Sequence, residues 1–412
     1  MSSLRHRSFS QLLGFARVGT ATYCHSSGAL VTAAENEPRV EYDPDTLAVR
    51  GLLIEPARYN FLLRSEEFDN ASWSKIRASV TPSQARAPDG ELSGDKLIED
   101  TTAAESHYAI QVYTKGSTTE VQPYCFSVFV KAAERSALRL VCQGSSGSAN
   151  SARANFDLVT GTVSVAPVIS GQFDNAQAKI EKWGNGWYRC SLNFRVNNDG
   201  QAGLQTAVIL LNSPTGSNYT GNGTSGLYLW GAQLEKGVHP TSYIPTTTVA
   251  IERKRDVCTV ASLTPWFNET AGTIFVEYLV PWTYLSTDPV STRRLAQADG
   301  GDETQRHLIY LNAGNVRGNT TTDNVQQTDV SAGTMTPGVV ERVAHAWAEN
   351  DVATIKTGNT IKLDTVASMP TPITTFRLGA AATAGTEPIA YLRKVRFYPR
   401  RLSNAELAAL VA

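Results

Sequence analysis

At 412 residues the chain is longer than a single core usually organises, so two or three domains are expected. Lysine plus arginine number 37 and aspartate plus glutamate 38, a formal net charge of -1, which excludes the basic surface that nucleic-acid binding needs. Hydrophobic residues at 42% exclude global disorder, and 43 threonines suit β-sheet, where branched side chains pack well on the pleat.

Residues 1–58 hold short strand-like runs around Tyr23, Val31 and Val40, punctuated by Gly28, Asp43 and Pro44. They read as a small β-hairpin segment with too few large apolar side chains for a core of its own. Residues 59–245 carry many short strands. In residues 124–132, Tyr124, Phe126, Val128 and Val130 alternate against Cys125, Ser127, Phe129 and Lys131, a period of two with one face more apolar. Eight or more such strands and no amphipathic helix of usable length predict a jelly-roll sandwich. Residues 246–256, with Pro245 before them and the charged run from Glu252 to Asp256 at their end, read as an exposed linker. Residues 257–412 repeat the strand pattern as a second sandwich. Ser403, Asn404, Ala405 and Glu406 form a capping box for one short C-terminal helix. The fold class is all-β: two β-sandwich domains in tandem behind a small N-terminal β-hairpin segment.

Catalytic and cofactor signatures are sparse. No HExxH, GxSxG or Walker A pattern occurs, and the six histidines are scattered. Residues 221–226 fit GxGxxG, yet a strand pattern follows where a dinucleotide loop would open a helix. No apolar run approaches the roughly 20 residues that span a bilayer, and no apolar stretch follows the basic Arg5, His6 and Arg7 as in a secretory signal. Membrane insertion is not expected. Cys24, Cys125, Cys142, Cys190 and Cys258 are odd in number and never in CxxC, so buried reduced thiols are expected. Asp299, Asp302 and Glu303, separated by two glycines, are candidate calcium ligands, against the simpler reading of a solvated turn. No other cofactor is implied.

The aromatic residues carry more. Sugar sites on β-sandwiches stack C–H faces on exposed rings and bond hydroxyls with uncharged side chains. Trp73, Tyr108, Tyr113, Trp282 and Tyr284, near strand edges or loops, are the candidate glycan-binding residues, whereas Trp187 and Trp347 lie on alternating strands and are expected in cores.

Several stretches also resemble a known group. Thr20-Ala21-Thr22-Tyr23, the segment from Glu37 to Pro44, and Arg50-Gly51-Leu52-Leu53-Ile54-Glu55-Pro56 resemble the leader of phage tail-fibre and related virion-surface proteins. The run from Asn60 to Trp73, Asn185-Gly186-Trp187-Tyr188-Arg189, and Leu229 to Glu235 are similar to the carbohydrate-binding-like jelly roll of those proteins. Ala346-Trp347, Lys356-Thr357-Gly358 and the run from Lys394 to Ser403 resemble a concanavalin A-like or laminin G-like sandwich. The resemblance implies a non-enzymatic structural protein of a virion surface, made in the bacterial cytoplasm. It would be a tail fibre or a head spike that joins other virion proteins through residues 1–58 and binds host cell-surface polysaccharide. With no collagen-like or coiled-coil shaft, a compact spike or fibre tip is expected, as a homo-oligomer, with sandwiches that stand without residues 1–58. The alternatives are a structural connector or decoration protein that binds no sugar, and a glycan depolymerase.

Overall fold

The computed structural model describes residues 13–147, 149–216, 218–260, 262–283, 292–382 and 384–412. Among them the strands gather into two six-stranded sheets, two seven-stranded sheets and two two-stranded ribbons, with one α-helix, Asn404–Val411. The all-β expectation holds, and no helix among these residues is long and apolar enough to cross a membrane.

In the strand Val121–Ala132 the alternation buries Tyr124, Phe126, Val128 and Val130 on one face, as read from the sequence. That face closes a core against Leu138, Leu140, Phe156 and Val208 of a facing sheet. The front sheet runs, in spatial order, Thr162–Ser170, Ser151–Asp157, Ala137–Gly144, Gly203–Leu211, Tyr108–Thr114 and Ser74–Ile76. The back sheet runs Phe173–Lys182, Trp187–Asn197, Val121–Ala132, Gly226–Lys236, Leu92–Glu99 and Ala78–Arg86. Residues 221–226 lead straight into the strand Gly226–Lys236, so the glycine-rich stretch opens no helix. The other face of Val121–Ala132 is buried too. The hairpin Ala21–Cys24/Leu30–Ala33 places Cys24 and Leu30 over Phe129, Trp183, Trp187, Trp230 and Tyr243 on the outside of the back sheet.

The second sandwich has one sheet ordered Leu13–Ala16, Val257–Val260, Thr375–Leu378, Thr292–Asp299, Arg306–Asn312, Asn315–Thr322 and Val325–Thr334. Its partner runs Lys362–Asp364, Val352–Lys356, Val340–Trp347, Gly272–Leu279, Ala390–Tyr398, Val49–Ile54 and Val40–Tyr42. Residues 13–58 therefore supply edge strands to both layers, Leu13 opposite Val260 and Ile54 opposite Ala390. A segment with no core of its own buries Leu52 and Ile54 in this one. The C-terminal helix starts on the expected capping box of Ser403 and Glu406 and sets Leu407 and Val411 against Phe275, Ala344 and Ala353.

A buried ion-pair network ties the segment to both sandwiches. Arg39 pairs with Asp256 at 2.7 Å and Glu55 at 2.9 Å, Arg17 reaches Asp256 at 3.3 Å, and Arg253 reaches Glu55 at 3.6 Å. Glu55 also accepts from the Ser242 N–H at 2.7 Å and the Ser242 hydroxyl at 2.8 Å. The run from Glu252 to Asp256 is thus not the exposed linker that its charge suggests: Arg253 and Asp256 are buried, and Ile251–Arg253 pairs with Arg58–Asn60. The five cysteines are buried and form no disulfide.

Candidate functional site

Between the sandwiches lies a groove of about 410 Å³, walled by Arg58, Tyr59, Phe61, Gln122, Lys236, Arg255, Arg293 and Glu387. The strand Arg58–Asn60 crosses it, held on one side by Ile251–Arg253. Residues two apart in extended chain point the same way, so the Tyr59 and Phe61 rings stack with centroids 5.8 Å apart and planes 9° apart. Phe61 in turn stacks on Tyr113 at 4.5 Å, and Tyr113 meets Tyr124 edge-on at 6.3 Å. The row grades from fully buried Tyr124 to Tyr59, which is 43% exposed and donates its hydroxyl to Glu252 at 2.8 Å.

Charged groups brace the row. Lys236 lies 6.0 Å from the centroids of Phe61 and Tyr124 and pairs with Glu120, which also accepts the Tyr124 hydroxyl at 2.6 Å. Burial, with the Glu120 carboxylate beside it, pushes the Tyr113 hydroxyl above its ordinary pKa. Gly237 allows Arg58 to lie against the backbone, because a Cβ there would come within 2.8 Å of the guanidinium. Glu387, the sole carboxylate among the described lining residues, is buried and takes the Arg255 guanidinium at 2.6 Å. The groove thus offers an aromatic wall and hydrogen-bonding groups. It does not set two carboxylates across a bound sugar as glycoside hydrolysis by an acid–base pair requires.

The structure disperses the candidate glycan residues. Trp73 is core, 1% exposed, packed on Phe68 at 4.6 Å with its indole N–H donated to the Arg64 carbonyl at 3.1 Å, so it presents no face to a ligand. Tyr108 and Tyr113 are five apart on one strand and therefore face opposite sides of the front sheet. Only Tyr113 joins the groove's aromatic row; Tyr108 lies outside, beneath Arg77 at 6.0 Å. Trp282 is wedged between the sandwiches, 8% exposed, stacked on His239 at 5.0 Å with the Lys179 ammonium 3.9 Å from its centroid. Tyr284 lies outside the described residues.

The acidic loop does not converge on a cation position. Asp299 is buried and accepts from Arg377 at 2.8 Å and from the Gly301 N–H at 2.8 Å. Glu303 faces Arg294 and Arg306, each at 2.8 Å, and Asp302 caps its own turn at Thr304. Among the described residues no group of three or more His, Cys, Asp or Glu side chains is placed to hold a metal. Tyr59 and Phe61 escaped the sequence reading. Their i, i+2 spacing at the start of residues 59–245 was the available signal.

No family model and no curated protein matches the chain. Among solved structures it is similar to the CBM40 module of a Ruminococcus gnavus IT-sialidase, at 18% identity and a TM-score of 0.30, covering 35% of this chain and 84% of that one. The same module bound to alpha2,6 sialyllactose aligns at 17% identity and a TM-score of 0.26, over 35% and 85% of the two chains. Domains LG4-5 of the mouse laminin alpha1 chain align at 8% identity and a TM-score of 0.25, over 73% of this chain and 90% of that one.

Proposed function

We propose that the chain is a non-catalytic glycan-binding protein of a virion surface, a tail fibre or head spike of a tailed phage or phage-like particle. The groove beside Tyr59 would hold host-surface polysaccharide. The observation that carries the reading is the stacked row of Tyr59, Phe61 and Tyr113, ending in a half-exposed ring at a groove rimmed by hydrogen-bonding side chains. A sugar C–H face stacks on such a ring while its hydroxyls meet the rim. Support for the virion context is the wording of residues 20–58 and 60–73. Within residues 13–58, Val18, Leu47 and Val49 are exposed, 66%, 46% and 44%, and would meet neighbouring virion proteins. Several copies on one particle would raise avidity by roughly 10²–10⁴ without a new contact.

The full-length chain is expected to bind host-surface polysaccharide on a glycan array. Tyr59→Ala should weaken that binding about tenfold, the loss of roughly 1.4 kcal/mol, with an unchanged melting temperature. Wild-type protein that binds no glycan while still joining particles would favour the second reading, a structural connector. The burial of Trp73, Trp187, Trp230 and Trp347, each 1% exposed or less, points that way.

A further inference from the structure

The two faces of the first sandwich are treated differently by the rest of the chain. The outside of the back sheet is covered by the N-terminal hairpin, with Phe129, Trp187 and Trp230 fully buried. The hairpin does not reach the outside of the front sheet, where Val112 and Arg153 are exposed and Tyr108, Ile110, Arg139, Gln143 and Gln205 half-buried. Strand register sets its rows: Tyr108, Ile209, Arg139 and Asn155 lie side by side, and Ile110, Ala207, Val141 and Arg153 form the next row. Arg139 and Arg153 are thus diagonal neighbours on adjacent strands, one half-buried and one exposed.

Like charges placed this close oppose each other unless something lies between them. Among the described residues no carboxylate pairs with either arginine. The front sheet's six strands carry a single acid, Asp157, and it is occupied by the Val159 N–H and the Thr160 hydroxyl, each at 2.9 Å. Burial, then the charge of Arg153, lowers the pKa of Arg139. Its guanidinium is nonetheless fixed. Nε donates to Asn155 Oδ1 at 2.7 Å, and Asn155 is held by the Pro214 carbonyl at 2.9 Å.

We propose that this face of the front sheet is a second binding surface, specific for a polysaccharide that carries carboxylates, with Arg139 and Arg153 gripping the acidic groups. A guanidinium matches a carboxylate in a two-point, charge-assisted contact. On the same face half-buried Ile110 and exposed Val112 offer apolar surface to sugar C–H faces, and beside Val112 the amides of Gln143 and Gln205, bonded to each other at 2.7 Å, stand to meet hydroxyls. An acidic peptide gains less here, because the backbone of Ala137–Gly144 is paired on both sides and offers no edge for strand addition. The surface is independent of the groove at Tyr59, and either can hold without the other.

The test uses the full chain with polygalacturonate, neutral dextran and poly-glutamate as probes, at low and raised salt. Wild type is expected to bind polygalacturonate in a salt-dependent way, and to bind dextran and poly-glutamate far more weakly. Arg153→Gln should weaken polygalacturonate binding about tenfold and the Arg139→Gln/Arg153→Gln pair about a hundredfold, one charged hydrogen-bond contact each. Arg400→Gln, the same charge change on the second sandwich, should leave it intact. Arg153 is exposed, so its variant keeps the wild-type melting temperature and the loss reads binding alone. The proposal is overturned if wild type ignores polygalacturonate, if the arginine variants bind as wild type does, or if poly-glutamate binds equally well through the same arginines.

Discussion

Arg39 has no exposed side-chain surface, and its guanidinium is met by the Thr22 carbonyl, the Ser242 hydroxyl, Asp256 and Glu55. Burial alone would lower its pKa; Asp256 and Glu55 outweigh that and raise it. Burial likewise works against charge on Glu55, yet Arg253 and Arg39 hold its carboxyl down at about 2. Such a network adds little net stability over a well-packed apolar one, but removing one member strands its partners in a dry site. Arg39→Ala is therefore expected to cost about 3–5 kcal/mol in urea unfolding. Removing the exposed Arg400–Glu406 pair by Arg400→Ala should leave the midpoint close to wild type. A wild-type midpoint for Arg39→Ala would refute the structural role. The charged run from Glu252 to Asp256 is plain in the sequence, but the burial of Arg253 and Asp256 is not. Charge density by itself predicts solvent, and only pairing across residues distant in sequence makes burial tolerable.

At the level of strands and helix, local signals were readable because they are local. Period-two alternation marked Val121–Ala132, and the spacing of Ser403 and Glu406 marked the helix start. Partner choice was not readable. Leu13–Ala16 pairs with Val257–Val260, and Val49–Ile54 with Ala390–Tyr398, across most of the chain's length. Nothing in a four-residue strand names its neighbour. The placement of Trp73 was unreadable for the same reason: its position suggests a loop, but the core it enters is built by strands far away, among them Val121–Ala132. Removal of residues 1–58 would strip edge strands from both seven-stranded sheets, uncover Trp187 and Trp230, and leave Asp256 and Arg253 without Arg39 and Glu55. The chain beginning at Tyr59 is expected to lose its cooperative melting transition and to be cut within residues 257–412 by limited proteolysis. A truncated chain with a sharp transition and a protease-resistant second sandwich would show that these strands are dispensable.

For the whole molecule, titratable groups buried inside the second sandwich and where the parts meet set how stability responds to pH. His239 and His345 are held neutral by burial, with pKa values lowered to about 3, and burial, with His345 beside it, also lowers the pKa of His307. The unfolded chain takes up protons on these histidines below about pH 6.5 while the folded one does not, so their contribution falls as pH falls. Glu41 acts in the opposite sense. It lies at the junction of the N-terminal segment with both sandwiches, lining a small cavity with Arg50, Glu181 and Tyr391, and accepts the Cys24 N–H at 3.1 Å. Burial lifts its pKa to about 8 against the pull of Arg50 and Arg39. The folded chain then keeps a proton that the unfolded chain sheds above about pH 4.5, so this contribution is full below 4.5 and drains away as pH rises to 8. Glu41→Gln isolates the effect, because an amide matches the neutral acid in shape and its oxygen can still accept from Cys24. The variant's stability relative to wild type should increase by up to about 1.4 kcal/mol per pH unit between pH 5 and 8. Urea unfolding at the two pH values reads the difference directly. A constant offset between variant and wild type would mean that Glu41 is ionised in the fold, and that the junction is held by one more ion pair rather than by a buried neutral acid.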